Sequence, residues 1–228
     1  MASWRTYQMR RPRPSEIQSW FSPTIMYTNG SPGLAIVAGI VSGGLEIIDF
    51  DQAELFSEWA AIVSAKKPTL LPRLVRVRSP RPGIHVYFRH RMVASQKLAC
   101  GAETDENGQI RLDPVTGKPK RKTLIETKGE GGYCLAPPSP RHCHPRMGLY
   151  LVESDSPPLT EIPAIIAEER QVLIDAAKSF NRWWDEQLHQ RPPLRSKAPK
   201  GKRLIPAEGL ANLWGATSDE TWLDGGWQ

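Results

Sequence analysis

The sequence predicts an α/β protein of the α+β kind, and three observations predict it. Apolar runs of strand length, bounded by glycine and proline, recur through the first two thirds of the chain without regular alternation with helices. Two stretches with helical spacing stand apart from them, residues 52–65 and the region from about Ala167 onward. With 228 residues and 39% hydrophobic content, the chain can bury one sizeable core, or one core with a smaller satellite. No internal repeat is present.

Taken in order, "SEIQSWF" (15–21) is expected to form a short helix with Ser15 as N-cap and Ile17, Trp20 and Phe21 on one face. After the turn "TNGSPG", the runs "LAIVAG" (34–39) and "GLEIIDFD" (44–51) read as adjacent buried strands. "QAELFSEWAAIVSA" (52–65) follows as a helix that turns Leu55, Phe56, Trp59, Ile62 and Val63 inward. "LVRVRS" (74–79) and "IHVYFRH" (84–90) resemble hairpin strands around a proline and glycine turn. Residues 95–120 are polar, with "DENGQ" and "DPVTGKP", and are expected as a long loop or floppy hairpin. "KTLIET" (122–127) is a further strand, "GGYCLAPPSP" an extended segment stopped by prolines, and "MGLYLVES" another strand. One long helix is expected from about Ala167, and beyond "HQRPPL" the chain becomes a basic, proline-rich linker with a Trp-rich tail. The expected division is a domain over 1–185, with linker and tail over 186–228.

Composition narrows the function classes. The longest apolar stretch is broken by glycine and serine and is too short to span a bilayer, and the first residues carry charge but no apolar core of a secretory signal. Cys100, Cys134 and Cys143 are an odd number at irregular spacing, which fits a reducing compartment better than a disulfide framework. A cytoplasmic protein without a membrane partner is the expectation. The net charge of +6 is concentrated in "RRPRP" (10–14), "KPKRK" (118–122) and "RSKAPKGKR" (195–203). Such clusters suit a polyanion, or else they are solvated loops.

The run "GGLEIIDFDQ" (43–52) ends a buried strand with two acids one residue apart. In a strand, residues i and i+2 share a face, so Asp49 and Asp51 project together, and a divalent cation would relieve their repulsion. Helix capping by Asp51, with Asp49 exposed, is the alternative reading. His85 and Glu126 add a polar group near an end or turn of two further strands, and Lys128 stands close by. Carboxylates hold hard cations through oxygen, while histidine, lysine and glycine-rich turns meet phosphate oxygens, so the inventory suits phosphoryl chemistry.

"SGGLEIIDFD", "SPRPGIHVYFR" and "LIETKGEGGYCLAPPSP", in this order, resemble the bifunctional DNA primase/polymerase (prim-pol) family of the archaeo-eukaryotic primase superfamily. The resemblance runs from about Trp20 to Phe180. It implies an N-terminal mixed α/β module plus an RRM-like catalytic sheet, and a DNA primase/polymerase in plasmid, phage or mobile-element replication. It implies that Asp49, Asp51 and Glu126 hold catalytic Mg2+ or Mn2+, and that the reaction is two-metal nucleotidyl transfer onto a 3′-hydroxyl. His85 and Ser79 belong to the second motif, where His85 would contact the triphosphate. Lys128 stands where the family often has arginine and would be a phosphate contact of less bidentate capacity. Ser139 would line the nucleotide site. Pro82 stands where a second glycine is common, and the third acid is Glu rather than Asp. The implied partners are single-stranded DNA template, nucleoside triphosphates and a helicase domain or protein.

Cys134, His142, Cys143 and His144, with Cys100, raise structural zinc. "HCH" packs its donors too closely for one ion and no CxxC pair exists, so a structural Zn2+ is not expected. Trp183, Trp184, Trp214, Trp222 and Trp227 could stack on bases, but packing against an accessory helix or a neighbouring domain is the expected role. Two rivals share the residues: a metal-dependent nuclease, and a DNA-binding module with a degenerate site.

Overall fold

The computed structural model describes residues 4–23, 31–91 and 94–183. Within them lie helices α1 (Pro14–Trp20), α2 (Ala53–Lys66) and α3 (Ala167–Lys178). The strands are β1 (Leu34–Val37), β2 (Leu45–Phe50), β3 (Val75–Ser79), β4 (Gly83–Arg89), β5 (Gln96–Ala102), β6 (Arg121–Lys128), β7 (Tyr133–Ala136) and β8 (Leu151–Val152). Six strands form one sheet in the order β5-β6-β2-β4-β3-β8, and β1 pairs with β7. Every pairing between these strands is antiparallel. The class is α+β, as the sequence predicts.

β2 is central because both of its faces are apolar, which only a strand covered on each side tolerates. Ile48 and Phe50 face α2 and α3 together with Val86, Phe88 and Ile125, and Trp59 and Leu173 close that core. The Trp59 indole N–H donates to Leu173 O at 3.0 Å, so a fully buried polar atom is satisfied while it ties α2 to α3. Leu45 and Ile47 face the other way, into a smaller cluster with Val75, Val77, Tyr87, Cys134 and Tyr150.

Helix α2 follows the expected pattern, with Leu55, Trp59 and Val63 buried and Phe56 and Ile62 packed at the margin. Several expectations are corrected. β1 does not lie beside β2: Gly39, Gly43 and Gly44 take φ of 99°, 71° and 71°, and the turn they permit sends β1 to pair with β7 instead. Residues 95–120 hold β5 and a continuing hairpin with bridges Thr104↔Ile110 and Leu112↔Pro119, its turns held by the Asp105 and Asp113 carboxylates. The strand expected in "MGLYLVES" is two residues long and exposed. Helix α1 starts at Pro14, and the Glu16 carboxylate, not Ser15, caps it by accepting from Arg13 N at 2.7 Å. α3 ends at Lys178 rather than running on, as Asn181 turns back to accept from Cys100 N at 2.9 Å. No helix among the described residues is long and apolar enough to cross a membrane.

Glu46 is fully buried on the helix-facing side of β2 and is held by Arg170 of α3 through two bonds of 2.7 and 2.8 Å. Removing one partner of such a pair strands a buried charge, whereas replacing both with apolar residues removes the problem. Arg170→Ala is therefore expected to lower unfolding stability by about 3 kcal/mol or more in urea titrations. The Glu46→Leu/Arg170→Leu double variant should lose much less, and equal losses would contradict this reading.

Candidate active site

Strand alternation places Asp49 on the sheet face away from α2 and α3, and antiparallel register fixes its neighbours. Asp49 is the cross-strand partner of His85 on β4 and of Glu126 on β6. Lys128, two residues beyond Glu126, shares that face; its ammonium donates to Glu126 Oε1 and lies 3.9 Å from Asp49 Oδ2. His85 Nε2 lies 3.5 Å from Asp49 Oδ1, and His85 Nδ1 lies 3.3 Å from the Tyr87 hydroxyl. These groups open into a cleft of ≈ 540 Å³ that Trp4, Tyr133, Cys134 and Tyr150 also line. The Trp4 and Tyr133 rings meet at 4.8 Å at its wall.

The electrostatics follow from burial beside unlike and like charges. Burial holds the Asp49 carboxyl up at about 6 against an ordinary 3.8; Glu126 and Asp51 push the same way, while Lys128 and Arg81 oppose them. Burial, and then the charge of Lys128, pull His85 down to about 4, so its imidazole is neutral at pH 7. Burial pulls Lys128 down, but its hydrogen bond to Glu126 and the charges of Glu126 and Asp49 together outweigh it and leave the ammonium more basic than usual. Burial likewise pushes the Cys134 thiol and the Tyr87 phenol well up.

Burial is thus the main burden on the ionised Asp49 carboxyl. Asp49 and Glu126 offer oxygen donors at an open cleft, and a divalent cation held there would offset the cost of ionising Asp49 away from bulk water. The residues present fit a hard cation.

Asp51 follows the last residue of β2 and, against the expectation that it projects together with Asp49, lines a neighbouring cleft of ≈ 480 Å³ with Arg81, Arg111, Arg121 and Lys122. Lys122 Nζ lies 3.7 Å from Asp51 Oδ2. The N-cap of α2 is Gln52, so Asp51 does not cap that helix. Ser79 ends β3, and its hydroxyl donates to Arg81 O at 2.6 Å in the turn that follows. Gly83 closes that turn against the end of β2, where any Cβ would run into the Phe50 carbonyl oxygen. Ser139 is buried and stands outside both clefts: its hydroxyl accepts from Leu34 N at 2.9 Å and donates to Leu34 O at 3.1 Å, tying the segment after β7 to the start of β1.

Among the described residues, one group brings three or more histidine, cysteine or carboxylate donors together, and it is Asp49, His85 and Cys134. Cys100 is buried in β5, and His142, Cys143 and His144 belong to no such group. Trp184, Trp214, Trp222 and Trp227 lie outside the described residues, and Trp183 follows α3. Sequence reasoning passed over Arg81, Trp4 and Tyr133. Arg81 could have been found as the one charged residue of the "SPRPG" turn; nothing local marks the other two as cleft residues.

An antiparallel α+β sheet thus gathers two carboxylates, a neutral imidazole and an ammonium around one cleft. The family model for the bifunctional DNA primase/polymerase N-terminal domain matches residues 2–165, and the chain belongs to that family. The match covers β1–β8 together with α1 and α2. No curated protein gives a significant match to the chain.

The raised Asp49 carboxyl gives a signed pH dependence. Its folded value of about 6 exceeds the ordinary 3.8, so the fold binds the proton preferentially between these limits and loses that stabilisation as pH rises through 6. Asp49→Asn should accordingly stabilise the metal-free protein by about 1–2 kcal/mol at pH 8, with the gain vanishing toward pH 4. Thermal melts across that range test it, and an equal gain at both ends would contradict it.

Proposed function

We propose that the chain is a template-directed nucleotidyltransferase that joins nucleoside triphosphates to a 3′-hydroxyl on DNA, with a catalytic unit running over residues 1–185. The observation that carries this reading is the register of β2 with β4 and β6, which sets Asp49 between His85 and Glu126 in a chain of the primase/polymerase family.

Asp49, Glu126 and, from the adjoining cleft, Asp51 would hold Mg2+ or Mn2+. Bound there, divalent ions lower the pKa of the attacking hydroxyl and neutralise the pyrophosphate that leaves. Asp49 is ionised for that role at pH 7 and above, since its carboxyl titrates at about 6. Lys128 exchanges the Glu126 carboxylate for a phosphate oxygen, which frees Glu126 for the cation as substrate arrives. The neutral His85 has Nδ1 beside the Tyr87 hydroxyl and Nε2 beside Asp49, and in the tautomer that carries Nε2–H it would offer that proton to a triphosphate oxygen once Asp49 turns to the cation. Trp4 and Tyr133 supply ring surface on which a base can stack. Arg81, Arg111, Arg121 and Lys122 give the adjoining cleft the charge to follow a DNA backbone. The last two belong to the basic cluster 118–122.

Labelled nucleotide incorporation on single-stranded template, with and without an annealed primer, tests the proposal. Asp49→Ala and Glu126→Ala should each reduce synthesis on the order of a thousandfold or more with unchanged circular dichroism. Lys128→Ala should raise the KM for nucleotide about tenfold, and Lys128→Arg should recover most of it. Near-normal synthesis by either acid variant would overturn the site. Cleavage of DNA without nucleotides would favour a nuclease, and metal-independent DNA binding without synthesis a degenerate module.

A further inference from the structure

The cleft contains a sulfur donor for which nucleotidyl transfer has no use. Cys134 Sγ, a ring nitrogen of His85 and a carboxylate oxygen of Asp49 all lie within 4.8 Å of one another. They come from three strands, β7, β4 and β2, so the group is built by the tertiary fold rather than by local sequence. His85 and Cys134 are buried, and Asp49 reaches them at the cleft floor.

Magnesium and calcium take oxygen ligands, and a buried thiol beside an imidazole offers them little. Zinc takes sulfur, nitrogen and oxygen together, in a tetrahedron whose bond lengths put ligand atoms roughly 3.3–3.8 Å apart. Side-chain movements of about 1 Å would close the group to that size. The outer partner is in place as well. The Tyr87 hydroxyl at 3.3 Å can accept from His85 Nδ1–H as readily as it can donate to Nδ1, and the first arrangement frees Nε2 for a metal. Charge also balances: one carboxylate and one thiolate match a dication, while Lys128 and Glu126 neutralise each other alongside.

We infer that Asp49, His85 and Cys134 form a site for a borderline divalent metal of the zinc class, with water or substrate oxygen as fourth ligand. Because zinc would draw away His85 and an Asp49 oxygen, both of which the proposed reaction uses, zinc occupancy shuts synthesis off. The binding site stands on geometry alone; its inhibitory effect rests on the proposed function. Metal binding displaces the thiol proton to solvent, so affinity rises with pH.

The test uses the full chain stripped of metal and titrated with Co2+ as a spectroscopic stand-in for zinc. A thiolate-to-cobalt absorption band should saturate at one cobalt per chain and disappear on addition of zinc. It should be lost in Cys134→Ser, be retained in Cys143→Ser and Cys100→Ser, and need about tenfold more cobalt in Asp49→Asn. Circular dichroism checks folding, and Cys134→Ala is the second variant should the serine disturb the core. Absence of the band, its survival in both Cys134 variants, or its loss in Cys143→Ser would overturn the site. In the synthesis assay, one equivalent of zinc should inhibit the wild type in excess Mg2+, and Cys134→Ser, scaled to its own zinc-free rate, should need at least about tenfold more. Equal zinc sensitivity would overturn the inhibitory role. Should the chain make no product at all, the proposed function fails while the cobalt spectrum still decides the site.

Discussion

The pairing register of β2 is the constraint on which the rest of the molecule depends. Side chains alternate along a strand, so a slip of one residue would carry Asp49 into the core against α2 and Glu46 out into the cleft. The slip is prevented on both faces at once. Ile48, Phe50 and the Glu46–Arg170 pair require the helices on one side, and Leu45 and Ile47 require the second cluster on the other. The same hydrophobic pattern that holds the strand in place therefore aims the acid, and antiparallel pairing with β4 and β6 adds His85 and Glu126 without further design.

Burial gives the cleft its chemical character. A carboxylate at the protein surface would ionise at its ordinary value and attract a cation weakly. Asp49 sits low enough to be held near 6, and the imidazole beside it stays neutral. Lys128 is paired with Glu126 and so offsets one of the carboxylate charges of the cleft; in the proposed reaction the two partners separate, one to phosphate and one to the cation. The cleft floor, closed by β7, brings in Cys134, so one carboxylate faces both a hard and a soft set of donors. The ionised form of Asp49 costs the fold stability because it is buried, and a cation at the proposed site would return that cost.

Much of this was legible in the sequence, and the parts that were not have physical reasons. The amphipathic run 52–65 and the strands around residues 45–50, 75–79, 83–89 and 121–128 follow from periodicity, because packing decides them locally. Asp49, His85 and Glu126, each legible as a polar residue of a strand, do meet across one sheet face, whereas Asp51, paired with Asp49 by strand alternation, lines the adjoining cleft. β5 was hidden because its flanks are polar and its partner lies some 25 residues away. The pairing of β1 with β7 was equally invisible, since it spans about a hundred residues and turns on three glycines in the left-handed region. Glu46 looked like an ordinary strand acid until Arg170 of a distant helix met it. The motif alone gives no sign that the Ser139 hydroxyl bonds both backbone groups of Leu34 at the start of β1. Cys134 lies close in sequence to the donors at 142–144, but the groups that meet it, Asp49 and His85, come from strands remote in sequence, which spacing cannot reveal.

The claim at the centre is that Asp49 and Glu126, brought together by β2 register, share a cation while Lys128 leaves Glu126 to meet a triphosphate. Crystals of the chain soaked with Mn2+ and a non-hydrolysable nucleoside triphosphate, measured for the anomalous signal of manganese, test it most directly. The account predicts manganese between the Asp49 and Glu126 carboxylates, with Lys128 on a phosphate oxygen. Nucleotide bound with the Lys128–Glu126 pair intact, and manganese elsewhere, would contradict it.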